Sequence, residues 1–199
     1  MSQPLKLGFL ASGNGSSARA IVAAIRAGEL AAEPRLLVSN NRKAPALAYA
    51  EDQAVPALHI PTQADPEAAD ATLVEAMAGH GVEVIVLSGY LRQLGPRTLH
   101  RYDGRILNIH PGPLPQFGGH GMYGRRVHEA VIAAGVAESG IVVHLVDAEY
   151  DRGPVIARRS VPVQASDTAE TLEARVTALE PVFFVDTLQR IAKGGLELP

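Results

Sequence analysis

The sequence predicts a Rossmann-like α/β fold, with a mostly parallel central sheet, an antiparallel part towards the C-terminus and helices on both faces. Three observations lead there. The chain opens with an apolar run, Leu5–Ser12, then the turn Gly13-Asn-Gly-Ser-Ser17, then a helical stretch from about Ser17 to Ala27; strand, glycine turn and helix in that order begin a βαβ unit. Up to residue 110, short β-prone runs alternate with helical segments, which implies a parallel sheet with crossover helices. After residue 110 the pattern changes to a glycine-rich stretch, one helix, and two strand-like runs joined by the acidic loop Asp147–Gly153.

The elements follow in order. Leu36–Ser39 is a second strand and runs into Asn40-Asn-Arg-Lys43. Ala44–Asp52 reads as a helix, Ala57–Ile60 as a short strand, and Asp65–Gly79 as an amphipathic helix opened by Asp65-Pro66. Val82–Ser88 is the most β-prone run and belongs at the centre of the sheet. Gly89–Leu94 is a loop with a compact turn, and Gly95–His100 a short helix. Arg105–His110 is a buried strand halted by Pro111, Pro113 and Pro115, whose rings fix φ. Phe117–Gly124 carries Gly118, Gly119, Gly121 and Gly124 and is expected to be a mobile loop. Arg125–Ala134 is a helix, Ser139–Val146 and Pro154–Val163 are strands, and Thr168–Lys193 reads as one long amphipathic helix interrupted near Pro181. No linker or repeat divides the chain. Residues 1–199 are therefore read as a single domain, with an anion-binding half at 1–110 and the remaining loops and closing helix at 111–199.

Composition excludes several classes of function. Zero Cys removes disulfides, thiolate metal sites and a Cys nucleophile. A net charge of -3 leaves no electrostatic footprint for nucleic acid or an anionic membrane. No apolar run approaches the roughly 20 residues of a membrane span. The opening Met-Ser-Gln-Pro-Leu-Lys is not a leader, because the apolar run behind it is too short, so a cytoplasmic location is expected. Aromatics are 5% of residues with no Trp, which argues against base-stacking platforms.

Asn108 and His110 lie two apart on a strand, so their side chains share one face. Polar groups there need partners or a function, and ligands of open α/β sheets bind at the carboxyl ends of strands. At the other end of that ligand face, the spacing Gly13-x-Gly15-x-x-Ala18 lets backbone approach an anion at a helix N-terminus. The same spacing suits a dinucleotide. No acidic residue follows the second strand to hold a ribose diol, whereas Arg42 could meet a 2′-phosphate, so an NADP-dependent reductase stays open at this point. The seven His residues do not take metal-ligand spacings, and there is no Gly-x-Ser-x-Gly elbow. An Asn amide that can donate to an oxyanion, a His that can carry a proton and an acidic loop together fit direct acyl transfer to an amine on a phosphorylated substrate. A carboxylate beside the His is expected to raise its pKa and favour imidazolium.

Asn108-Ile-His-Pro111, Leu114-Pro115, Ser139-Gly-Ile-Val-Val-His-Leu-Val146 and Asp151-Arg-Gly-Pro-Val-Ile156 closely resemble the folate-dependent formyltransferases, over nearly the whole chain and in the same order. Ser12-Gly-Asn-Gly-Ser16 and Ser39-Asn40 match the branch of that family that formylates glycinamide ribonucleotide. The resemblance implies the formyltransferase fold, 10-formyltetrahydrofolate as co-substrate and no metal. It also implies a small-molecule enzyme with no nucleic-acid or membrane partner, either monomer or homodimer. Asn108, His110 and Asp151 look like the catalytic trio. Gly13, Asn14, Gly15, Ser16, Ser17, Ala18 and Arg19 look like the substrate-phosphate site. Leu91, Arg92, Gln93 and Leu94, with Asn108 and Asp147, Ala148, Glu149, Tyr150 and Asp151, look like the pterin site. Glu180 looks like a carboxylate of the closing helix that contacts the glycinamide substrate. Two stretches depart from the commonest pattern. Gln116–Gly124 is a few residues longer, and Asp65–Ala69 has no Arg where the family often has one near the folate.

On this reading the amine attacks the formyl carbon. Asn108 and a protonated His110 stabilise the oxyanion, Asp151 keeps His110 protonated or orients it, and His110 or a water carries a proton to the folate nitrogen. A formyltransferase acting on methionyl-tRNA would need an RNA-binding extension and a basic surface. A formyltetrahydrofolate hydrolase would typically carry an added N-terminal domain. The phosphate turn alone would also fit a noncatalytic binding module.

Overall fold

The structure is a computed structural model that describes residues 3–199; Met1 and Ser2, the start of the stretch read above for a leader, lie outside them. Its centre is a sheet of seven strands: β1 (Leu5–Leu10), β2 (Ala32–Ser39), β3 (Ala57–His59), β4 (Val84–Leu87), β5 (Ile106–His110), β6 (Glu138–Leu145) and β7 (Val155–Pro162). Their spatial order is β3-β2-β1-β4-β5-β6-β7. β1 pairs parallel with β2 and β4, β2 with β3 and β4 with β5, whereas β5–β6 and β6–β7 are antiparallel. The chain winds outward from β1 to β3 and then returns to place β4 on β1's other side. The topological switch point therefore lies between β1 and β4, where open α/β sheets form their ligand crevice.

Strand residues serve the two faces alternately. In β4, Val84 and Val86 join the cluster under α1 (Ser16–Arg26) and α7 (Glu180–Ala192), with Ile21, Leu107, Phe184 and Leu188. Ile85 and Leu87 face the other layer, under α3 (Pro66–Gly79) and α4 (Pro96–Arg101), with Leu73, Met77 and Ile106. A run apolar at every position is what a strand covered on both faces requires. A third cluster joins α5 (Arg125–Ala134) and α6 (Ala169–Thr177) to β6 and β7 through Val127, Val131, Ile141, Val161 and Leu172. The remaining helix is α2 (Pro45–Asp52). Gly8 in β1 lets α3 approach closely, since a Cβ there would stand 2.6 Å from Met77 Sδ.

The closing segment is interrupted near Pro181, as expected: it is two helices, α6 and α7, parted at Ala178–Leu179. Proline has no N–H and disfavours helix in the residue ahead of it, so Pro181 opens α7 in the first turn instead of bending one long helix. Thr168 and Thr171 form a reciprocal capping box that starts α6. None of the helices among the described residues is long and apolar enough to cross a membrane.

Candidate active site

The ligand face is built first by backbone. β1 ends at Leu10, and Gly15 turns the chain into α1 with φ 66°. Gly15 is required twice over: that φ is left-handed, and a Cβ would stand 3.0 Å from the Ala46 Cβ. The turn is then braced. Gly13 carbonyl accepts from Ala46 N–H at 3.2 Å. The Arg19 guanidinium donates to the carbonyls of Asn14, at 2.8 Å, and Pro45, at 3.2 Å, and lies 4.5 Å from the Tyr49 ring centroid. Arg19 thus clamps the turn to α2 with its charge turned to carbonyls and a ring. Ala18 N–H is also committed, donating to the buried Ser88 hydroxyl at 2.9 Å. Two residues taken as phosphate contacts therefore have these groups spent inside the protein, while exposed Asn14 and Ser16 remain at the mouth of the turn.

The second part is built by side chains. β5 and β6 pair so that Asn108 faces His144 and His110 faces Val142. His144 Nδ1 lies 2.8 Å from the Leu145 carbonyl, which assigns its proton to Nδ1. Its Nε2 then accepts from the Asn108 amide at 3.1 Å, leaving the second amide hydrogen of Asn108 available. His110 is buried, and its Nε2 lies 2.7 Å from the Phe117 carbonyl, which assigns the proton to Nε2. Its Nδ1 stands 3.5 Å from Asp151 Oδ2. Asp151 Oδ1 stands 3.4 Å from His144 Nε2, and Oδ2 accepts from Gly119 N–H at 3.0 Å. One carboxylate thus bridges two buried imidazoles and the glycine-rich loop. Asp151 takes φ 57°, a left-handed conformation that Asp tolerates better than most residues and that marks functional sites. Gly153 follows it closely: a Cβ there would stand 2.0 Å from the Leu145 carbonyl oxygen.

The electrostatics correct one expectation. Burial pushes the His110 imidazole below its usual range; the Asp151 charge and the Phe117 carbonyl pull it back without cancelling the effect. At neutral pH the resting ring is neutral, not imidazolium. Burial pushes Asp151 up, but its contacts with His144 and His110 and the hydrogen bond from Gly119 N–H outweigh it and hold the carboxyl below its usual range. Asp151 is therefore ionised at rest.

The glycine-rich loop is anchored at its start. Phe117 is buried with Val127 and Leu172, Gly119 is tied to Asp151, and a Cβ on Gly118 would stand 2.8 Å from the Asp151 Cβ. The pterin segments expected at 91–94 and 147–151 are joined through Gln93 Nε2 and the Ala148 carbonyl at 3.4 Å. Leu91 is 66% exposed and Tyr150 45%, apolar area left open beside the site. A cavity of about 500 Å³ opens on the α3 side of the first segment, lined by Ile60, Thr62, Tyr90, Arg92 and Leu94 among others; it does not include Asn108, His110 or Asp151. Glu180 begins α7, and burial alone pushes its carboxyl up to about 7, with no hydrogen bond joining it to the trio. Among the described residues no group of three or more His, Cys, Asp or Glu could hold a metal ion.

Comparison with known proteins agrees with this architecture. The family model described as formyl transferase matches residues 5–188. The chain belongs to that family. Phosphoribosylglycinamide formyltransferase of Bacillus subtilis is 36% identical over 193 residues, covering 94% of each chain. The chloroplastic phosphoribosylglycinamide formyltransferase of Vigna unguiculata is 37% identical; the match covers 94% of this chain but only 61% of that relative. Among solved structures, glycinamide ribonucleotide transformylase 1 of Symbiobacterium toebii superposes with a TM-score of 0.89 at 33% identity, over 100% of this chain and 92% of that one. The Coxiella burnetii phosphoribosylglycinamide formyltransferase gives 0.87 at 37% identity, over 96% and 88%.

Against this formyl transferase frame, sequence reasoning missed three contributors: His144, Ser88 and Gly119 N–H. His144 was legible only in part, as a polar residue inside the β-prone run Ser139–Val146, an anomaly of the same kind as Asn108 and His110.

Proposed function

We propose that this chain transfers the formyl group of 10-formyltetrahydrofolate to the amine of 5′-phosphoribosylglycinamide, giving formylglycinamide ribonucleotide and tetrahydrofolate in purine biosynthesis. The observation that carries the reading is the linked set Asn108, His144, Asp151 and His110 at the carboxyl end of β5, next to a glycine turn suited to phosphate. The set holds an amide donor and a proton carrier but no Ser or Cys nucleophile, which favours direct transfer over an acyl-enzyme. The exposed Leu91 and Tyr150 suit the flat face of a pterin.

Chemically, the amine nitrogen bonds to the formyl carbon and the carbonyl electron pair moves to oxygen. The second amide hydrogen of Asn108 meets that oxyanion. The attacking nitrogen must then lose a proton, and His110 Nδ1 is the basic nitrogen that carries none at rest. Once it takes the proton, both ring N–H groups face oxygen: Nε2 the Phe117 carbonyl and Nδ1 the Asp151 carboxylate. Asp151 thus stabilises the imidazolium in the reaction rather than at rest. The ring returns the proton to the departing folate nitrogen as the carbon–nitrogen bond breaks.

The test mixes the protein with glycinamide ribonucleotide and 10-formyl-5,8-dideazafolate and follows loss of the formyl group. Loss that depends on the amine substrate is expected. Loss at the same rate without it would replace this reading with a hydrolase, and no loss at all would leave a binding protein.

A further inference from the structure

Ser12 stands immediately before the phosphate turn, and its hydrogen-bonding groups are committed to the loops after β2 and β4. Its N–H donates to the Gly89 carbonyl at 3.0 Å. Its hydroxyl accepts from Leu91 N–H at 2.8 Å and donates to Asn40 Oδ1 at 2.6 Å. Its carbonyl accepts from Asn41 Nδ2 at 3.2 Å. Three segments therefore meet on one side chain and its backbone: the phosphate turn after β1, the Asn40–Asn41 pair after β2 and the loop after β4. These are the elements that the formyl-transfer reading assigns to two different substrates, the phosphorylated amine on the turn and the folate on residues 91–94.

A hydroxyl has one proton. That of Ser12 goes to Asn40, so it cannot also donate to a substrate phosphate. Its acceptor side holds Leu91 N–H, the first backbone group of the folate segment. Only short loops without regular structure join these parts to their strands, so the relative position of amine and formyl carbon depends on such cross-links. Direct transfer is sensitive to that position: misplacement by about 1 Å can cost on the order of 100-fold.

We propose that the Ser12 hydroxyl is a positioning residue for formyl transfer, fixing the phosphate turn against the folate loop through Leu91 N–H and Asn40. This rests on the formyl-transfer reading. It concerns the geometry between the two substrates and not the affinity for either. Its hydrogen bond to Leu91 lies at an exposed backbone group that water can satisfy when the serine is gone.

The experiment compares wild type, Ser12→Ala, Ser12→Thr and Asn40→Ala. Kd for each substrate alone comes from calorimetry, kcat from assays with both substrates saturating, and Tm from thermal melts. For Ser12→Ala we expect kcat to fall by about tenfold or more, with each Kd within about threefold of wild type and Tm lowered by only about 2–4 °C. Ser12→Thr keeps the hydroxyl and should recover most of kcat, while Asn40→Ala should fall in the same direction as Ser12→Ala. A Ser12→Ala enzyme with kcat within twofold of wild type would overturn the inference. So would a loss that appears equally in Kd for the phosphorylated substrate alone, since that marks a direct phosphate contact. Ser12→Thr as impaired as Ser12→Ala would also overturn it, because the hydroxyl would then not be the active feature. Absence of formyl transfer by the wild type would instead remove the functional reading beneath it.

Discussion

The two halves of the ligand face are made by different means. The β1 end is a backbone device: a left-handed glycine, a helix N-terminus and hydroxyls that hold the turn in place. The turn and the helix start are neighbours in sequence, and only their braces come from afar. The β5 end is a side-chain device: Asn108, His110, His144 and Asp151 come from two antiparallel strands and the loop after them, and the carboxylate meets His110 from 41 positions along the chain. A backbone device can bind an anion and cannot move a proton. A cluster of titratable side chains can move a proton, and pays for it with burial and strain. The difference predicts that damage at β5 falls on turnover and damage to the anion-facing Gly15 on affinity, whereas damage to Ser12, which ties the turn to the loop after β4, falls on turnover.

The largest effects are expected at β5. On the formyl-transfer reading, His110→Ala removes the proposed proton carrier and should lower kcat by roughly 10²–10⁴-fold, and Asn108→Ala, which removes the proposed oxyanion donor, by roughly 10²–10³-fold. Asp151→Asn keeps the shape and removes the charge that favours imidazolium during the reaction, so its loss should approach that of His110→Ala. Its pH dependence has a definite sign. Burial already places His110 below its usual pKa, with Asp151 pulling upward, so removing the carboxylate moves the ring lower still. In wild type kcat/KM is lost as pH falls through the His110 pKa, below the usual value of 6.5; in Asp151→Asn that acid limb shifts further down. Measuring both enzymes on the same substrates and plotting their ratio against pH cancels titration of the substrate amine. A stable Asp151→Asn protein with wild-type kcat and an unmoved acid limb would break the contrast between the halves.

The same contrast explains what could be read from residues alone. Gly15 and its turn were legible because their requirement is local: a glycine at a left-handed position before a helix. The parallel half was legible because each crossover repeats strand, turn and helix. Asn108 and His110 stood out as polar residues on a buried strand, and the resemblance drew Asp151 to them. His144 did not acquire a role, because its place opposite Asn108 is set by the register of β5 on β6, a non-local pairing. The commitment of Ala18 N–H to Ser88 bridges 70 positions and leaves no local trace. The charge state of His110 was misjudged for a related reason. A neighbouring carboxylate can be guessed from sequence, but the depth of burial that outweighs it cannot. The split between α6 and α7 was legible too, because proline at the first turn of a helix starts it.

A middle-sized effect is expected at β1. Gly15→Val puts a β-branched residue at φ 66° with its Cβ 3.0 Å from the Ala46 Cβ, which L-residues of that shape avoid. The turn must shift, and loss of one charge-assisted hydrogen bond to phosphate, about 1.5–3 kcal/mol, corresponds to a rise of roughly 10- to 100-fold in KM for the phosphorylated substrate. KM for the folate should stay within about threefold, since no titratable or pterin-facing group is touched. Steady-state kinetics with each substrate varied in turn measures both. Equal rises in the two constants would erase the distinction between a phosphate device and a folate device.

The smallest effect is expected where the halves join. α7 closes the chain but packs on α1, the helix behind the phosphate turn, sharing the cluster of Ile21, Val22, Phe184 and Leu188. Glu180 opens α7 with no cation beside it among the described residues, and burial raises its carboxyl from 4.5 to about 7. A carboxyl whose pKa is higher folded than unfolded favours the folded state fully below the unfolded value, and that contribution is lost as pH rises through the folded one. Ionised Glu180 therefore costs stability at pH 8, on the order of 2 kcal/mol, and costs little at pH 4.5. Glu180→Gln imitates the protonated form at every pH. Its Tm should exceed wild type by roughly 4–8 °C at pH 8, and the gap should close as pH approaches 4.5. If Glu180 contacts the glycinamide substrate, the same variant raises KM for that substrate while leaving kcat and the folate KM close to wild type, because uniform binding and not the transition state is affected. Thermal melts across this range, run beside the kinetics, separate the outcomes. A Tm gap that persists at pH 4.5 would place the gain in packing rather than charge. No gap at pH 8 would mean that Glu180 is not held in a desolvated state. A gap with the expected pH dependence and a raised KM would show stability given up at the junction for contact with substrate.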